Sequence, residues 1–229
     1  MLKKVVLISG GAAVGKTAVL KNIIPLLQSK DLALSVCKID CVATRDGLVY
    51  QNMNIPHVVG ISGDICPDHF LVSNLPELYH WADEKQSDVL LIETAGLCHR
   101  CSPATEQMAA GCVLDCTSSC HAPAQLGPML TYADFVVLTK IDMVSQAERE
   151  IILWKIKELN PTAKLFTVDG LTGYGAEGLA DWLSCFSKET NFDNDVLRHS
   201  MPSGVCSYCV GEKRVGSAYQ QGVVGKIEF

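Results

Sequence analysis

Short apolar runs punctuate the chain at KVVLIS, LALSVCKI, DVLLIE, DFVVLTK and KLFTV. They are continuous rather than alternating, the pattern of parallel strands covered on both faces. Amphipathic stretches separate them, including TAVLKNIIPLLQSK and SQAEREIILWKIKEL, and GYGAEGLADWLSCF follows a glycine-rich turn. Pro25 is expected to kink or shorten the first helix. This alternation predicts an α/β fold, a doubly wound and mostly parallel sheet that gathers ligands at the carboxyl ends of its strands. After residue 187 the alternation stops. Residues 1–187 are the expected domain, with a cysteine-rich insertion at 98–121, and residues 188–229 are a cysteine-containing tail.

Composition narrows the function. With 229 residues, 48% apolar and 19% charged, the chain suits one sizeable domain. Its net charge of −6 and lack of a basic stripe exclude an ordinary nucleic-acid binder. Runs such as VVLI and FVVL fall far short of a membrane span. MLKKVVLISGG is too briefly apolar for a signal peptide and leads straight into a glycine loop, so a cytoplasmic location is expected. In a reducing compartment, eleven cysteines point to metal or cluster ligation rather than disulfides. Isolated Cys37, Cys41 and Cys185 are expected as small core residues.

GGAAVGKT, Gly10 to Thr17, fits G-x-x-x-x-G-K-[ST] between a strand and a helix, which is a P-loop in its required context. Backbone N–H groups of Gly10, Gly11, Ala12, Ala13, Val14, Gly15, Lys16, Thr17 and Ala18 would wrap the phosphates. Lys16 would neutralise the β- and γ-phosphates, and the Thr17 hydroxyl would ligate Mg²⁺. Glu93 ends a strand where an acid can hold the Mg²⁺ water shell, and Asp40 is a second strand-end acid. Lys16, Asp40 and Glu93 are therefore the candidate catalytic group. The N–H of Gly96 could sense the γ-phosphate. In LTKID, Asp142 could accept from N1 and N2 of guanine while Lys140 packs along the base, so guanine is the expected nucleotide.

These segments resemble the nickel-delivery GTPases that mature hydrogenase and urease, within the wider class that includes cobalamin-synthesis-like metal chaperones. The resemblance runs from about Val5 to Phe186 through GGAAVGKT, KIDCVATRDG, LLIETAG, LGPMLTYADFVVLTKIDM and NPTAKLFTVDGLTGYGAEGLADWL. It implies a GTP-dependent homodimer that holds a metal between subunits and passes it to a client metalloenzyme or its maturation complex. Asp40 and Glu93 match the family's Mg²⁺-side acids, and Asp46 matches a switch-region acid. GDICPDHF lies where the family carries a short Cys-Pro-His motif, here with one residue inserted, so Cys66 and His69 are candidate ligands. Thr139 stands where Asn is commoner, and VDG stands where a base-contacting Ser-Ala would be expected.

The remaining thiols have no template in that resemblance. Cys98 and Cys101 form a C-x-x-C, as do Cys206 and Cys209 in the tail, a spacing that lets two thiolates grip one ion. Cys112, Cys116 and Cys120 recur every four residues and would share one face of a helix. Seven sulfurs exceed one tetrahedral site. Thiolates favour zinc, copper(I) or an iron–sulfur cluster, whereas His69, His99 and His121 keep nickel open. The expected protein is a GTP-hydrolysing metallochaperone. A nucleotide-driven iron–sulfur reductase is the alternative, with a small-molecule kinase and a structural zinc module behind it. Cys98 lies two residues beyond Gly96, so a loop that senses the γ-phosphate would move a thiol. No arginine finger is evident, so slow intrinsic hydrolysis is expected.

Overall fold

A computed structural model describes residues 2–42, 46–97, 99–188, 192–199, 211–222 and 225–229. Seven strands form one all-parallel sheet: β1 (Lys4–Gly10), β2 (Leu34–Asp40), β3 (His57–Ile61), β4 (Val89–Glu93), β5 (Ala109–Asp115), β6 (Phe135–Thr139) and β7 (Lys164–Thr167). Their order across the sheet is β3-β2-β4-β1-β5-β6-β7. The five apolar runs are all strands. The sheet adds HVVGI and AAGCVLD, which lack long aliphatic runs.

Alternate side chains of each strand feed opposite faces. Val6, Ile8, Val113 and Val137 pack on α1 (Lys16–Gln28) and α7 (Ala176–Cys185). Helix α2 (Asp46–Asn52) inserts Tyr50 on that side. Val5, Leu7, Ile39 and Ile92 pack on α3 (Pro67–Glu84). Beyond β5 the same face is covered by two short helices, α4 (Ala122–Gln125) and α5 (Pro128–Thr131), and by α6 (Gln146–Leu159). A Ser145–Glu148 capping box starts α6.

Pro25 does not end its helix, because α1 continues to Gln28. Val19, Leu20, Ile23, Ile24 and Leu27 of α1 are fully buried. At about 1.5–3 kcal/mol each, they outweigh the cost of about 3 kcal/mol for an interior proline. Cys37 is a core residue as expected, but Cys41 is only half-buried and Cys185 is exposed. Both stand at element ends, where the sheet and helix no longer cover them.

The described parts of the tail lie on the α3 face. Leu197, Val215 and Ile227 join the core around α3. Leu197 bridges Thr105, and Arg198 donates to the carbonyls of Thr105, Met108 and Tyr132 and to Asp134. Asn74 fastens the last residues by donating to the Gly225 carbonyl and accepting from the N–H of Ile227. Among the described residues no helix is long and apolar enough to cross a membrane.

Candidate nucleotide and metal site

Because every strand runs the same way, Gly10, Asp40, Glu93, Asp115 and Thr139 all end at one edge of the sheet. The phosphate loop leaves β1 there and enters α1. Gly10 has φ +136°, and a Cβ on it would overlap the carbonyl of Val113 on the neighbouring strand, so only glycine fits. Lys16 is 5% exposed, and its Nζ donates to the carbonyls of Gly10 (3.1 Å) and Gly11 (2.6 Å). Burial lowers its pKa to about 8, with Glu93 acting the other way. Gly96, at φ +78°, lies directly against this loop. A Cβ there would overlap the Gly10 carbonyl and fall 2.6 Å from Lys16 Nζ.

Glu93 is the hub of the phosphate side. It is buried and accepts from Thr17 Oγ1 (2.7 Å), Lys38 Nζ (2.6 Å) and Tyr50 OH (2.7 Å). The second acid at Thr17 is Asp46, 3.3 Å from its hydroxyl, at the start of α2. Asp40 stands at the end of β2 and accepts from the N–H of Cys41; its charge also reaches Lys16. Thr17, Asp46 and Glu93 present hard oxygens on one side of the loop, with Asp40 nearby, a donor set suited to Mg²⁺.

Thr139 anchors the loop from the other side by donating to the Val14 carbonyl at 2.7 Å. Lys140 is left-handed (φ +53°), and its Nζ donates to the Ala13 carbonyl and to Asp115 Oδ2 (2.5 Å). Asp142 is exposed on the following 3-10 turn, Ile141–Met143. The VDG segment is tied to α1, since Asn22 Nδ2 donates to the Gly170 carbonyl at 3.0 Å. Lys38, Tyr50, Asp115 and Asn22 were not legible as site residues. Each sits inside an ordinary strand or helix pattern and reaches the site only through the fold.

The thiols divide into two groups. Cys66 caps α3, with Pro67 as its first residue. The loop after Gly96 brings Cys101 to it, and Cys101 Sγ donates to Asp68 Oδ2 at 3.4 Å. The Cys101 thiol, shared between Asp68 and Cys66, and the backbone N–H groups of His69 and Asp68 hold the Cys66 thiol well below its usual pKa. Asp68 is 6% exposed, and burial followed by the Cys66 charge raises it to about 7. The residue of Cys-Pro-Asp-His that joins Cys101 is thus Asp68. His69 is buried, faces Gln220 of the tail and has its pKa lowered by that burial. His99 stands over the phosphate loop, its Nε2 3.6 Å from where a Cβ on Gly11 would lie.

The expected helical face of Cys112, Cys116 and Cys120 does not exist. Cys112 lies in β5, and Cys116 follows its end with its N–H donating to Thr139 O. A spacing of four returns to the same face in a strand as well as in a helix, so it cannot separate the two. The shared face is core: Cys112 and Cys116 pack with Leu126, Ile152 and Ile156. Burial pushes their thiols up to about 12 and about 11. They are not gathered with Cys66 and Cys101. Cys120 lies half-buried in the turn before His121, which faces Lys155. Cys98, Cys206 and Cys209 lie outside the described residues. Among the described residues no three His, Cys, Asp or Glu side chains form a ready metal centre.

The nucleotide-binding domain of the CobW/HypB/UreG family matches residues 4–167. An uncharacterized protein of Methanocaldococcus jannaschii is 43% identical over 225 residues, covering 98% of this chain and 96% of its own. The urease accessory protein UreG of Yersinia pestis is 27% identical over 191 residues, 77% of this chain and 86% of that protein. Two solved structures share the fold. Hydrogenase maturation factor HypB from Archaeoglobus fulgidus has TM-score 0.64 at 22% identity, covering 80% of this chain and 89% of that one. HypB from Helicobacter pylori in complex with nickel has TM-score 0.65 at 19% identity, covering 82% and 91%.

Proposed function

The chain belongs to the CobW/HypB/UreG family of P-loop GTPases, and on that premise we propose that it is a GTP-hydrolysing metallochaperone whose nucleotide state controls the binding and release of a soft metal. One observation carries the coupling: a single loop touches both chemistries. Gly96 lies on the phosphate loop, and Cys101, five residues on, bonds Asp68 beside Cys66. A γ-phosphate that shifts Gly96 shifts a thiol ligand.

Thr17, Asp46, Glu93 and Asp40 are the oxygens that would hold Mg²⁺, which neutralises phosphate charge when bound. Lys16 binds the phosphates, Gly96 senses the terminal one, and Thr139, Lys140 and Asp142 serve the guanine side. The cargo site is Cys66 and Cys101 with Asp68. Two thiols and one carboxylate fall short of a four-coordinate soft-metal site, so the loaded form in this reading is a homodimer whose second copy supplies further ligands. Nickel, carried by the Helicobacter pylori HypB complex, and zinc both suit this set. The recipient is a client metalloenzyme or its maturation complex, met in the cytoplasm.

The test is metal affinity measured with a non-hydrolysable GTP analogue and again with GDP, on anaerobically purified protein. The expected change is about tenfold or more, lost in Cys66→Ala and Cys101→Ala. Equal affinity in both nucleotide states sinks the metallochaperone role. A brown, redox-active preparation would replace it with the iron–sulfur reductase.

A further inference from the structure

Lys38 is a buried cation in the middle of β2, flanked by Cys37 and Ile39. Its side chain is 6% exposed, and its Nζ lies 2.6 Å from Glu93 Oε1 and 3.1 Å from Asp46 Oδ2. Thr17 Oγ1 bonds the same two oxygen atoms, at 2.7 and 3.3 Å. Hydroxyl, ammonium and two carboxylate oxygens thus close a ring that joins α1, β2, α2 and β4. Two carboxylate oxygens within 3.1 Å of its Nζ are the surroundings of an ammonium group.

Stability does not account for this arrangement. A buried ion pair contributes little more than a well-packed apolar group in its place. Its position does. Thr17 follows Lys16 directly, so the ring abuts the phosphate loop. Without Lys38, Asp46 and Glu93 would set two uncompensated negative charges beside a polyphosphate that is itself an anion. Offsetting such repulsion is ordinarily the task of the divalent ion.

Building on the guanine-nucleotide role proposed above, we propose that Lys38 is an internal counter-ion of the phosphate site: its fixed charge offsets Asp46 and Glu93, so the chain retains guanine nucleotide when no divalent cation is present. Such retention suits a protein that handles soft metals, because the nucleotide would stay in place whichever ion or chelator is nearby.

The experiment is titration of a fluorescent GDP analogue into the full chain, in Mg²⁺ and in EDTA. Wild type is expected to lose less than about tenfold in affinity on removal of Mg²⁺. Lys38→Gln keeps a hydrogen-bond donor but not the charge. It is expected to bind about tenfold or more weaker than wild type in EDTA, with Mg²⁺ recovering much of that loss. Lys38→Arg keeps the charge and should follow wild type in both buffers. Lys38→Gln binding as tightly as wild type in EDTA overturns the counter-ion role. So does wild type that binds only with Mg²⁺, a result that leaves the nucleotide role intact and stands even if the variants do not fold. Wild type that binds no guanine nucleotide in either buffer overturns the nucleotide role itself.

Discussion

The oxygen cluster around Glu93 and the thiol cluster around Cys66 share one neighbour, Lys16, whose charge reaches both Glu93 and Asp68. Their states are opposite. Glu93 accepts three hydrogen bonds, two from neutral hydroxyls and one from an ammonium, so its charge is compensated on the spot. Asp68 is equally buried but receives one thiol donor and faces the charge of Cys66. The carboxylate of Glu93 is surrounded by three donors, whereas burial and the Cys66 charge push the Asp68 carboxyl up to about 7. The contrast separates a site built to stay in one arrangement from one built to be completed by something it binds.

The largest expected effect comes from breaking the compensated side. Glu93→Ala leaves Lys38 and Tyr50 buried without their main acceptor, which should cost about 3–5 kcal/mol in urea unfolding and abolish GTP hydrolysis. A protein of near wild-type stability would show that the Glu93 cluster is not the compensated unit described here.

The thiol side is sharpened by pH. Asp68 has its folded pKa raised from 3.8 to about 7, so the folded state binds the extra proton. Its stabilising contribution is full below about pH 3.8 and is lost as pH rises through about 7. Cys66, with its folded pKa lowered, contributes in the opposite sense: present above the ordinary thiol value, it is lost as pH falls through the lowered one. Asp68→Asn in a Cys66→Ser background isolates the first effect. Relative to Cys66→Ser alone, it should gain on the order of 2–3 kcal/mol at pH 8 compared with pH 4, read from urea midpoints. A pH-independent difference would mean that Asp68 is ionised throughout.

The smallest effect concerns the thiols that belong to neither cluster. Cys112→Ala should cost about 1 kcal/mol of stability through lost packing against α6 and leave metal stoichiometry unchanged. Loss of bound metal in this variant would put β5 back among the ligands.

What could be read before folding, and what could not, follows the same division. The placement of the phosphate loop, Glu93 and the LTKID segment at the carboxyl ends of their strands was legible because each is fixed by contiguous backbone in a strand–loop–helix setting. The fate of Cys112 and Cys116 was not, because a four-residue repeat suits a strand and a helix alike, and AAGCVLD lacks the aliphatic density that marked the other strands. The choice of Asp68 over His69 depended on where the helix starting at Pro67 turned each side chain. The tail's grip on α3 came from Leu197, Val215 and Ile227, single apolar residues with no periodicity to announce them.

Local order alone thus determined that this chain carries a phosphate-binding loop within a parallel α/β sheet, since hydrogen bonding and hydrophobic pattern within a few residues suffice for that. Which charges neutralise one another, and which sulfurs meet, was decided only by the tertiary structure. Glu93 lies 55 positions from Lys38 and 47 from Asp46, and Cys66 meets Cys101 across 35 positions. Only the register of β2 beside β4, and the crossing of α3 beneath the loop after Gly96, brings such groups within hydrogen-bonding distance.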